Sequence, residues 1–277
     1  MSSAQEPRAV GGALASALAD QKDRLLPCVH CGFCLPACPT YTRLGDEADS
    51  PRGRLHLMQA VVEGRLDAGS DAFRTHIDRC LGCRACEPVC PSGVEYGILL
   101  EHARETAAAA TPPGFLTRAL LQVMASRGLR RVVFLGGTVL RATGLAAVGA
   151  RILPRRGALG NARLGLAMLA ATTAWKANPG RRESGDEAHL EPTPPARGRV
   201  GMLVGCVQEG LYRRVNDATE RVLRANGFEV VAVSGQDCCG ALHAHAGALE
   251  EARGLARLNV EAFESAGLDT VVVNAAG

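Results

Sequence analysis

The chain contains 277 residues, of which 47% are hydrophobic, and carries a formal net charge of +3 at pH 7. This length and composition fit about two soluble domains with apolar cores. The N-terminal sequence MSSAQEPRAV has no basic region followed by an apolar run, which argues against a short secreted domain held by disulfides. Eleven cysteines without a secretory signal instead indicate a reducing compartment in which thiolates bind metal. We therefore expect a cytoplasmic protein.

Residues 1–24 are predicted to form a lead-in segment or a helix that reaches the first of two cysteine runs. The runs are CVHCGFCLPACP at 28–39 and CLGCRACEPVCP at 80–91. Both follow the bacterial ligand pattern for [4Fe–4S] clusters, C-x2-C-x2-C-x3-C-P. Structural zinc usually takes two separated C-x2-C pairs, so zinc is the weaker alternative, as are disulfides. The pattern predicts two [4Fe–4S] clusters.

The spacing within each run also predicts which cysteines share a cluster. Three thiolates with two residues between neighbours can surround one cube. The fourth cysteine is followed by proline and leaves the loop too early to bind the same cube. In two-cluster ferredoxins this fourth cysteine ligates the other cluster. Small residues between the ligands (Gly32, Ala37, Gly82, Ala85) would let backbone amides approach the sulfurs. We assign Cys28, Cys31, Cys34 and Cys90 to cluster I, and Cys38, Cys80, Cys83 and Cys86 to cluster II.

The segments around the runs are predicted to be helical. Ser50-Pro51 is a helix start, and apolar residues follow it at helical spacing as far as Gly64. A short helix is expected over 71–79, and a longer one over 94–110 that stops at Pro112-Pro113-Gly114. Residues 1–110 should therefore form a helical two-cluster domain, with the clusters between helices rather than in a small β-sandwich.

Residues 106–182 contain twelve lysines or arginines and no aspartate or glutamate. No uncharged run reaches about 18 residues, so a membrane-spanning helix is not supported. Two interpretations stay open: linking helices with arginine on the wet face, or basic helices that dock on anionic lipid or an acidic partner. We expect a basic, apolar helical connector over 111–176 and a flexible, proline-rich linker over 177–199.

The last 78 residues alternate between strand and helix patterns, which predicts a parallel sheet with right-handed crossovers. Ligand sites in such sheets collect at the carboxyl ends of strands, so Cys206, Cys238 and Cys239 should share one crevice. His243 and His245 are interpreted as solvated loop side chains rather than ligands. The predicted order is strand 200–205, helix 212–226 ending at Gly227, strand 228–233, helix 249–266 and strand 270–274.

These motifs together resemble a known family. The cysteine runs, the segment DSPRGRLHLM at 49–58 and the CCG segment at 238–240 are similar to the iron–sulfur subunits of glycolate oxidase (glycolate dehydrogenase). The wider group includes the iron–sulfur subunits of anaerobic glycerol-3-phosphate dehydrogenase, lactate-utilisation iron–sulfur proteins and heterodisulfide reductase subunits. The resemblance is close over about 20–105 and 199–277.

The resemblance implies an α + α/β protein whose residues 200–277 form a cysteine-rich CCG domain. In the family this domain contains a Cys, a spacer, Cys-Cys-Gly and further cysteines, and is usually present twice. Cys206 and Cys238 fit the first spacer, with 31 residues between them. The next family cysteine would follow Gly277, so we expect a truncated domain with an incomplete metal site, and a further iron–sulfur or zinc site only in a longer form.

The function implied by the resemblance is electron transfer. The chain has no G-x-G-x-x-G fingerprint, P-loop or nucleophile triad, so no catalytic residue is assigned. Separate flavin-binding subunits would oxidise glycolate, or D-lactate, to glyoxylate or pyruvate. This chain would pass the electrons towards a quinone-type acceptor, at the inner face of the cell membrane, with no nucleic-acid partner. The alternatives are a CCG-domain disulfide or quinone reductase subunit and a free ferredoxin carrier.

Overall fold

The computed structural model describes residues 16–172 and 197–274. Most of the linker predicted for 177–199, and residues 1–15 of the lead-in, lie outside the described residues. The chain divides into two compact units, each formed by two stretches of sequence. The first unit takes Met1–Ala119 and Gly240–Arg253, and the second takes Leu120–Cys239 and Gly254–Ala276. Most of the basic connector therefore belongs to the same unit as the sheet, while the domain limits expected at 110, 176 and 199 stay predictions.

The first unit is helical, as predicted. Ser50 begins the predicted helix Pro51–Val62, because its Oγ accepts a hydrogen bond from Gly53 N at 2.9 Å and Pro51 occupies the first turn. The helix Pro39–Leu44 was not predicted; it begins directly after Cys38 and ends at Gly45, which has φ +69°. The helices are α1 Ser16–Ala19, α2 Lys22–Leu25, α3 Pro39–Leu44, α4 Pro51–Val62, α5 Asp71–Asp78 and α6 Tyr96–Ala110, with a 3-10 turn at Glu47–Asp49.

The core of the first unit lies between α4, α5 and α6. Met58, Phe73, Ile77 and Leu99 are fully buried there, and each such side chain stabilises the fold by about 1.5–3 kcal/mol relative to exposure. The cysteine loops pack against this core, with Cys86 inside it and Cys28, Cys34, Cys80 and Cys90 partly buried at its edge. This arrangement confirms a helical ferredoxin-like fold in place of a β-sandwich.

The connector forms further helices. Ser126 caps α8 through its Oγ, and Gly144, at φ +75°, allows the sharp turn into α9. In the described part of the chain no single helix is long and apolar enough to cross a membrane, but α8 and α9 together meet the length and composition criterion across a 78° bend. These helices are α7 Phe115–Ala125, α8 Arg127–Ala142, α9 Leu145–Ile152 and α10 Gly157–Ala171.

The second unit contains the predicted parallel sheet. Its strands are β1 Arg199–Leu203, β2 Glu229–Val231 and β3 Thr270–Val273, in the order β2-β1-β3. Val200 in the central strand pairs with Val230 on one side and Thr270 on the other. Gly201 has to be small, because an added Cβ would lie 2.4 Å from the Leu268 side chain. The strand–helix alternation in the sequence is thereby confirmed.

The helix after β1 begins earlier than predicted. The sequence indicates a start near Tyr212, whereas α11 spans Cys206–Ala225 with non-helical backbone angles at Tyr212 (φ −129°, ψ 28°). Gly205, at φ +62°, lets the chain turn directly from strand to helix, so Cys206 lies in the first helical turn. Two more helices, α12 Ala241–His245 in the first unit and α13 Leu249–Ser265, complete the described elements.

Candidate metal centre

The two cysteine loops of the first unit have the same backbone conformation. In each loop the second and fourth residues after the first cysteine are left-handed: His30 (φ 55°) and Gly32 (φ 86°) in the first, Gly82 (φ 66°) and Arg84 (φ 53°) in the second. A left-handed non-glycine residue costs about 1–3 kcal/mol, so such strain persists where the surroundings demand it. Backbone that alternates in this way turns successive N–H groups to one side, where they can bind an anion.

The hydrogen bonds of the two loops repeat as well. Each loop continues with two successive i to i−3 bonds that close on its last cysteine. The four bonds run from Leu35 N to Gly32 O at 3.0 Å, from Cys38 N to Leu35 O at 3.1 Å, from Glu87 N to Arg84 O at 3.0 Å and from Cys90 N to Glu87 O at 3.0 Å. The equal cysteine spacing of the two runs thus corresponds to equal three-dimensional structure.

A pocket in the first unit is lined by most of these thiols. Cys28, Cys31, Cys34 and Cys90, the four residues predicted to hold cluster I, all line it, and so does Cys86. Burial raises the pKa of Cys34, and the neighbouring Cys28 and Cys31 raise it further. A positive charge in the pocket, such as bound iron would provide, would favour the thiolate form of Cys34.

Cys38 lies in a different environment, beside a threonine and an arginine. Its Sγ is 3.1 Å from Thr40 Oγ1 and 4.0 Å from Arg54 Nη1. Burial alone would raise the pKa of Cys38, but hydrogen bonds to Thr40 and to the Tyr41 backbone, together with the Arg54 charge, hold it below its ordinary value. The fourth cysteine of the first run is therefore electrostatically prepared to be a thiolate.

A buried ion network supports Arg54. Asp49 Oδ1 accepts from Arg54 Nη2 at 3.3 Å and lies 3.0 Å from His76 Nδ1, while Asp49 Oδ2 accepts from Arg79 Nη1 at 2.9 Å. Asp46, Asp49 and His76 are close enough to hold a metal ion, but both Asp49 oxygens already bind cationic or ring N–H groups. We interpret this group as an ion network. The sequence contains its residues in and near DSPRGR but does not indicate their contacts.

The second loop has its own polar neighbours. Tyr96 Oη donates to Cys80 Sγ at 3.5 Å, and Arg104 Nη2 donates to Cys80 O at 2.6 Å. Burial raises the pKa of the Cys86 thiol to about 12, with the Cys80 charge adding to the rise. Cys83 is exposed. The cysteines of the second loop thus span a buried and a solvent-facing side.

The two histidines of the CCG region lie in a helix rather than a loop, and the interpretation as solvated side chains is wrong for His243, which is buried, whereas His245 is exposed. Both lie in α12, where His243 is buried and His245 Nδ1 is 3.1 Å from Arg104 Nη1. The His245 ring also faces Gly82, since a Cβ added there would lie 3.3 Å from His245 Cε1. A segment that follows the Cys-Cys-Gly motif therefore packs against the second cysteine loop, within the first unit.

The eight thiols of the two loops can be compared with the spacing that a single zinc ion requires. A zinc ion bound at about 2.3 Å holds its sulfur ligands no more than about 4.6 Å apart. Among residues 16–172 and 197–274, no three cysteines have sulfurs that all lie within 4.8 Å of one another. The thiols of the described residues therefore do not form a ready-made single-ion site, and the ligand pattern of the two runs is that of thiolate-ligated [4Fe–4S] clusters.

The cysteines of the second unit form a close pair instead. Cys206 Sγ and Cys238 Sγ are 3.3 Å apart at the ends of β1 and the segment after β2. The hydrogen bond with Cys238 lowers the pKa of Cys206 to about 7 against the opposing effect of burial, and Arg130 contributes. Cys239 is exposed and does not complete a close set of three. Of the three cysteines expected in one crevice, the structure brings two into contact.

An aspartate anchored by the connector holds this pair in place. Asp237 accepts from Arg127 Nε at 2.5 Å and also pairs with Arg130. The same carboxylate accepts from Cys238 N at 2.7 Å, and Asn259 donates to Cys238 O at 2.9 Å. Arginines of the basic connector thus fix the backbone that carries Cys238, a role that the sequence did not predict.

Comparisons with known proteins identify both cysteine regions. The family model of a 4Fe-4S dicluster domain matches residues 24–94, and that of the CCG cysteine-rich domain matches residues 200–277. The chain is 37% identical over 263 residues to the probable glycolate oxidase iron-sulfur subunit of Bacillus subtilis (strain 168), covering 91% of this chain and 57% of the relative.

Two further relatives are similar to the chain, one over most of its length and one over a short part of it. The glycolate oxidase iron-sulfur subunit of Escherichia coli (strain K12) is 37% identical over 258 residues, which cover 91% of this chain and 56% of the relative. A subunit of the fumarate reductase (CoM/CoB) of Methanothermobacter marburgensis is 38% identical over 79 residues, or 28% of this chain and 16% of the relative. No solved structure matches the chain.

The predicted resemblance is thus confirmed, and it extends over most of this chain. The chain spans a little more than half the length of the two glycolate oxidase subunits that it matches. These homologues support an iron–sulfur electron-transfer role. The chain thus contains a 4Fe–4S dicluster domain match followed by a cysteine-rich CCG domain match, and it is a homologue of the glycolate oxidase iron–sulfur subunits.

Proposed function

We propose that the chain is the electron-transfer part of a glycolate oxidase complex, which oxidises glycolate, or D-lactate in its place, to glyoxylate or pyruvate. The observation that carries this proposal is the pair of cysteine loops with equal backbone conformation. When bound, each [4Fe–4S] cluster would take up and release one electron at a time. Substrate oxidation would take place on separate flavin-binding subunits.

The ligand sets are part of the same proposal. Cys28, Cys31, Cys34 and Cys90 hold cluster I, and their shared pocket supports this set. Cys38, Cys80, Cys83 and Cys86 hold cluster II. Arg54 links these sulfurs, because its Nη1 lies 4.0 Å from Cys38 Sγ. Burial raises the pKa of Tyr96, the charges of Cys80 and Cys86 raise it further, and the charge of Arg54 opposes them. Arg54, Cys80 and Cys86 therefore all lie near Tyr96, which supports placing these sulfurs near one another.

The residues around the loops bury the ligands and orient them. Tyr96 and Arg104 hold the Cys80 side chain and carbonyl, while Arg52 donates to His30 O at 3.1 Å in the first loop. The apolar core behind the loops excludes water from one side of the site. The polar contacts constrain ligand geometry and contribute to the reduction potentials of bound clusters.

The test is anaerobic purification of the native complex that contains this chain. We expect about eight irons and eight acid-labile sulfides per chain from the dicluster region, and bleaching of cluster absorbance when glycolate is added to the complex. Stoichiometric zinc, or about four irons, would contradict the cluster assignment. Bleaching with other hydroxy acids but not with glycolate or D-lactate would contradict the substrate.

We further propose that the connector places the chain at the inner face of the cell membrane, near a quinone-type acceptor. Apolar side chains in α8 and α9, such as Val132, Leu135 and Ile152, are 66–76% exposed. No acidic residue lies between 106 and 182. Exposed apolar side chains beside arginines suit the surface of anionic lipid.

A second candidate function is supported by the close thiol pair of the second unit. Cys206 and Cys238 lie 3.3 Å apart, and the pKa of Cys206 is lowered to about 7. Such a pair suits disulfide or quinone reductase chemistry of the heterodisulfide reductase or anaerobic glycerol-3-phosphate dehydrogenase type. Thiol–disulfide turnover by the complex, lost in Cys206→Ser with glycolate oxidation kept, would favour this candidate.

A further inference from the structure

Arg54 is an unusual residue for the interior of a small helical domain. Its side chain is 1% exposed, and the Asp49 side chain that faces it is fully buried. Buried arginines are costly unless they are paired and hydrogen-bonded. Packing of α4 does not need a charge at this position, because Leu55, Met58 and Val61 already provide its apolar face.

The contacts of Arg54 converge on a cluster ligand. Nη1 donates to Thr40 Oγ1 at 3.1 Å and lies 4.0 Å from Cys38 Sγ, while Thr40 Oγ1 is itself 3.1 Å from that sulfur. Nε donates to His76 O at 2.6 Å. Because α5 ends at Asp78, two residues before Cys80, Arg54 connects the last cysteine of the first run to the helix that leads into the second.

Arg54 brings a positive charge against Cys38 within a network that contains both signs. Arg54 and Arg79 are positive, while Asp49, bound to both, and Asp46, which lies beside Asp49, are negative. Of the two arginines, Arg54 is buried next to the sulfur, whereas Arg79 is about half exposed. Solvent screens a buried charge least, so Arg54 dominates the potential at Cys38.

We propose that Arg54 is a positioning residue that raises the reduction potential of the cluster ligated by Cys38, with Asp49 limiting that rise. A positive charge beside a ligand sulfur stabilises the more negative, reduced form of a cluster. This inference rests on the proposed function only in requiring that Cys38 ligate a cluster. It holds whether that cluster is held by the other cysteines of the first run or by those of the second run.

The experiment is a redox titration of the two clusters in the anaerobically purified full chain, followed by electron paramagnetic resonance. Arg54→Gln removes the charge and keeps hydrogen-bonding capacity. We expect the equilibrium constant for reduction of one cluster to fall about tenfold, the equivalent of about 59 mV for one electron, with the other cluster changed much less. Arg54→Lys keeps the charge and should restore most of the loss.

Asp49→Asn provides a test with the opposite sign. Removing the carboxylate takes away the buried negative charge that is bound to both Arg54 and Arg79, so the same cluster should become easier to reduce. A residue with a purely structural role would not shift one potential in opposite directions in the two variants. If Arg54→Gln fails to keep its clusters, the other two variants decide the question. The reduction potential of the Cys38 cluster should stay close to the wild-type value in Arg54→Lys and rise in Asp49→Asn.

Arg65→Gln is the matched control, because Arg65 forms an exposed ion pair with Glu63 just beyond the end of α4. It should leave both potentials unchanged. Equal potentials in wild type, Arg54→Gln and Asp49→Asn, with clusters intact, would overturn the inference without touching the proposed function. Absence of both clusters from the wild-type chain would overturn the proposed function itself.

Discussion

The two units use cysteine in different ways. In the first unit, eight cysteines lie on two open loops with equal conformation, and no three of their sulfurs, among the described residues, crowd together. In the second unit, Cys206 and Cys238 are 3.3 Å apart at strand ends. Open loops leave room for a cluster between the ligands, whereas a close pair suits one shared ion or a sulfur–sulfur bond. The two units therefore differ in how closely they bring their sulfurs together.

The surroundings of the two sites differ as well. The loops of the first unit pack against a buried core formed by α4, α5 and α6. The thiol pair of the second unit is instead held by polar contacts, through Asp237 and Asn259. Helices of that unit also leave large apolar side chains exposed. The cysteine loops of the first unit thus rest on an apolar core, whereas the Cys206–Cys238 pair is held by an ion-paired aspartate, which predicts different responses to substitution at the two sites.

The largest expected effect is the loss of a whole cluster. Cys38→Ser should reduce the iron content of the purified chain from about eight to about four, because the cluster held with Cys80, Cys83 and Cys86 loses a ligand. Cys206→Ser, the matched control in the second unit, should keep about eight. Spectroscopy that shows loss of the cluster held by Cys28, Cys31 and Cys34 in Cys38→Ser would reverse the proposed ligand exchange.

The next effect concerns the ion pairs of the second unit. Asp237→Asn should lower the free energy of unfolding of this unit by about 3 kcal/mol, since it leaves Arg130 and Cys238 N without their buried carboxylate. Denaturant titration followed by circular dichroism measures the change. Glu229→Gln removes an exposed pair with Arg199 in the same unit and should change stability by less than about 1 kcal/mol. Equal effects of the two substitutions would contradict the role of Asp237.

A pH titration of thiol reactivity compares the sites directly. The pKa of Cys206 is lowered to about 7, so its thiolate forms above that pH, and anaerobic alkylation should reach half its maximal rate near pH 7. Buried Cys86, with a pKa raised to about 12, should stay unmodified at pH 8 even after chelation of iron. Peptide mass spectrometry distinguishes the two. Full protection of Cys206 until metal is removed would instead show that the pair binds an ion.

The smallest effect is expected at the connector surface. Arg131 is exposed on α8, and Arg131→Gln should weaken binding to vesicles that contain anionic lipid about fivefold, the equivalent of about 1 kcal/mol for one arginine near the surface. Co-sedimentation at low and high salt measures it, because salt screens this attraction. Arg65→Gln, in the first unit, should not change binding. Salt-independent binding would favour ordinary packing of these helices.

Features that depend on neighbours along the chain could be predicted from the sequence. The two cysteine runs, the helix that begins at Ser50 and Pro51, and the alternation of strands and helices after residue 199 all agree with the structure. Each arises from local rules: ligand spacing, side-chain capping and hydrophobic periodicity. The start of α11 was misplaced because the turn at Gly205 depends on its positive φ, which composition alone does not reveal.

The sequence by itself determined the two iron–sulfur cluster motifs, the helical dicluster fold and the parallel sheet, because these follow from short-range patterns, while the ligand set of each cluster stays a prediction. Only the tertiary structure decided which charges reach the ligands. Arg54 meets Asp49 and His76, Arg104 meets His245 across 141 residues, and Arg127 meets Asp237 across 110 residues. Long arginine side chains can pair with any of 28 acidic residues in the unfolded chain. The packing of helices around a buried core selects the pair, and no local pattern encodes that choice.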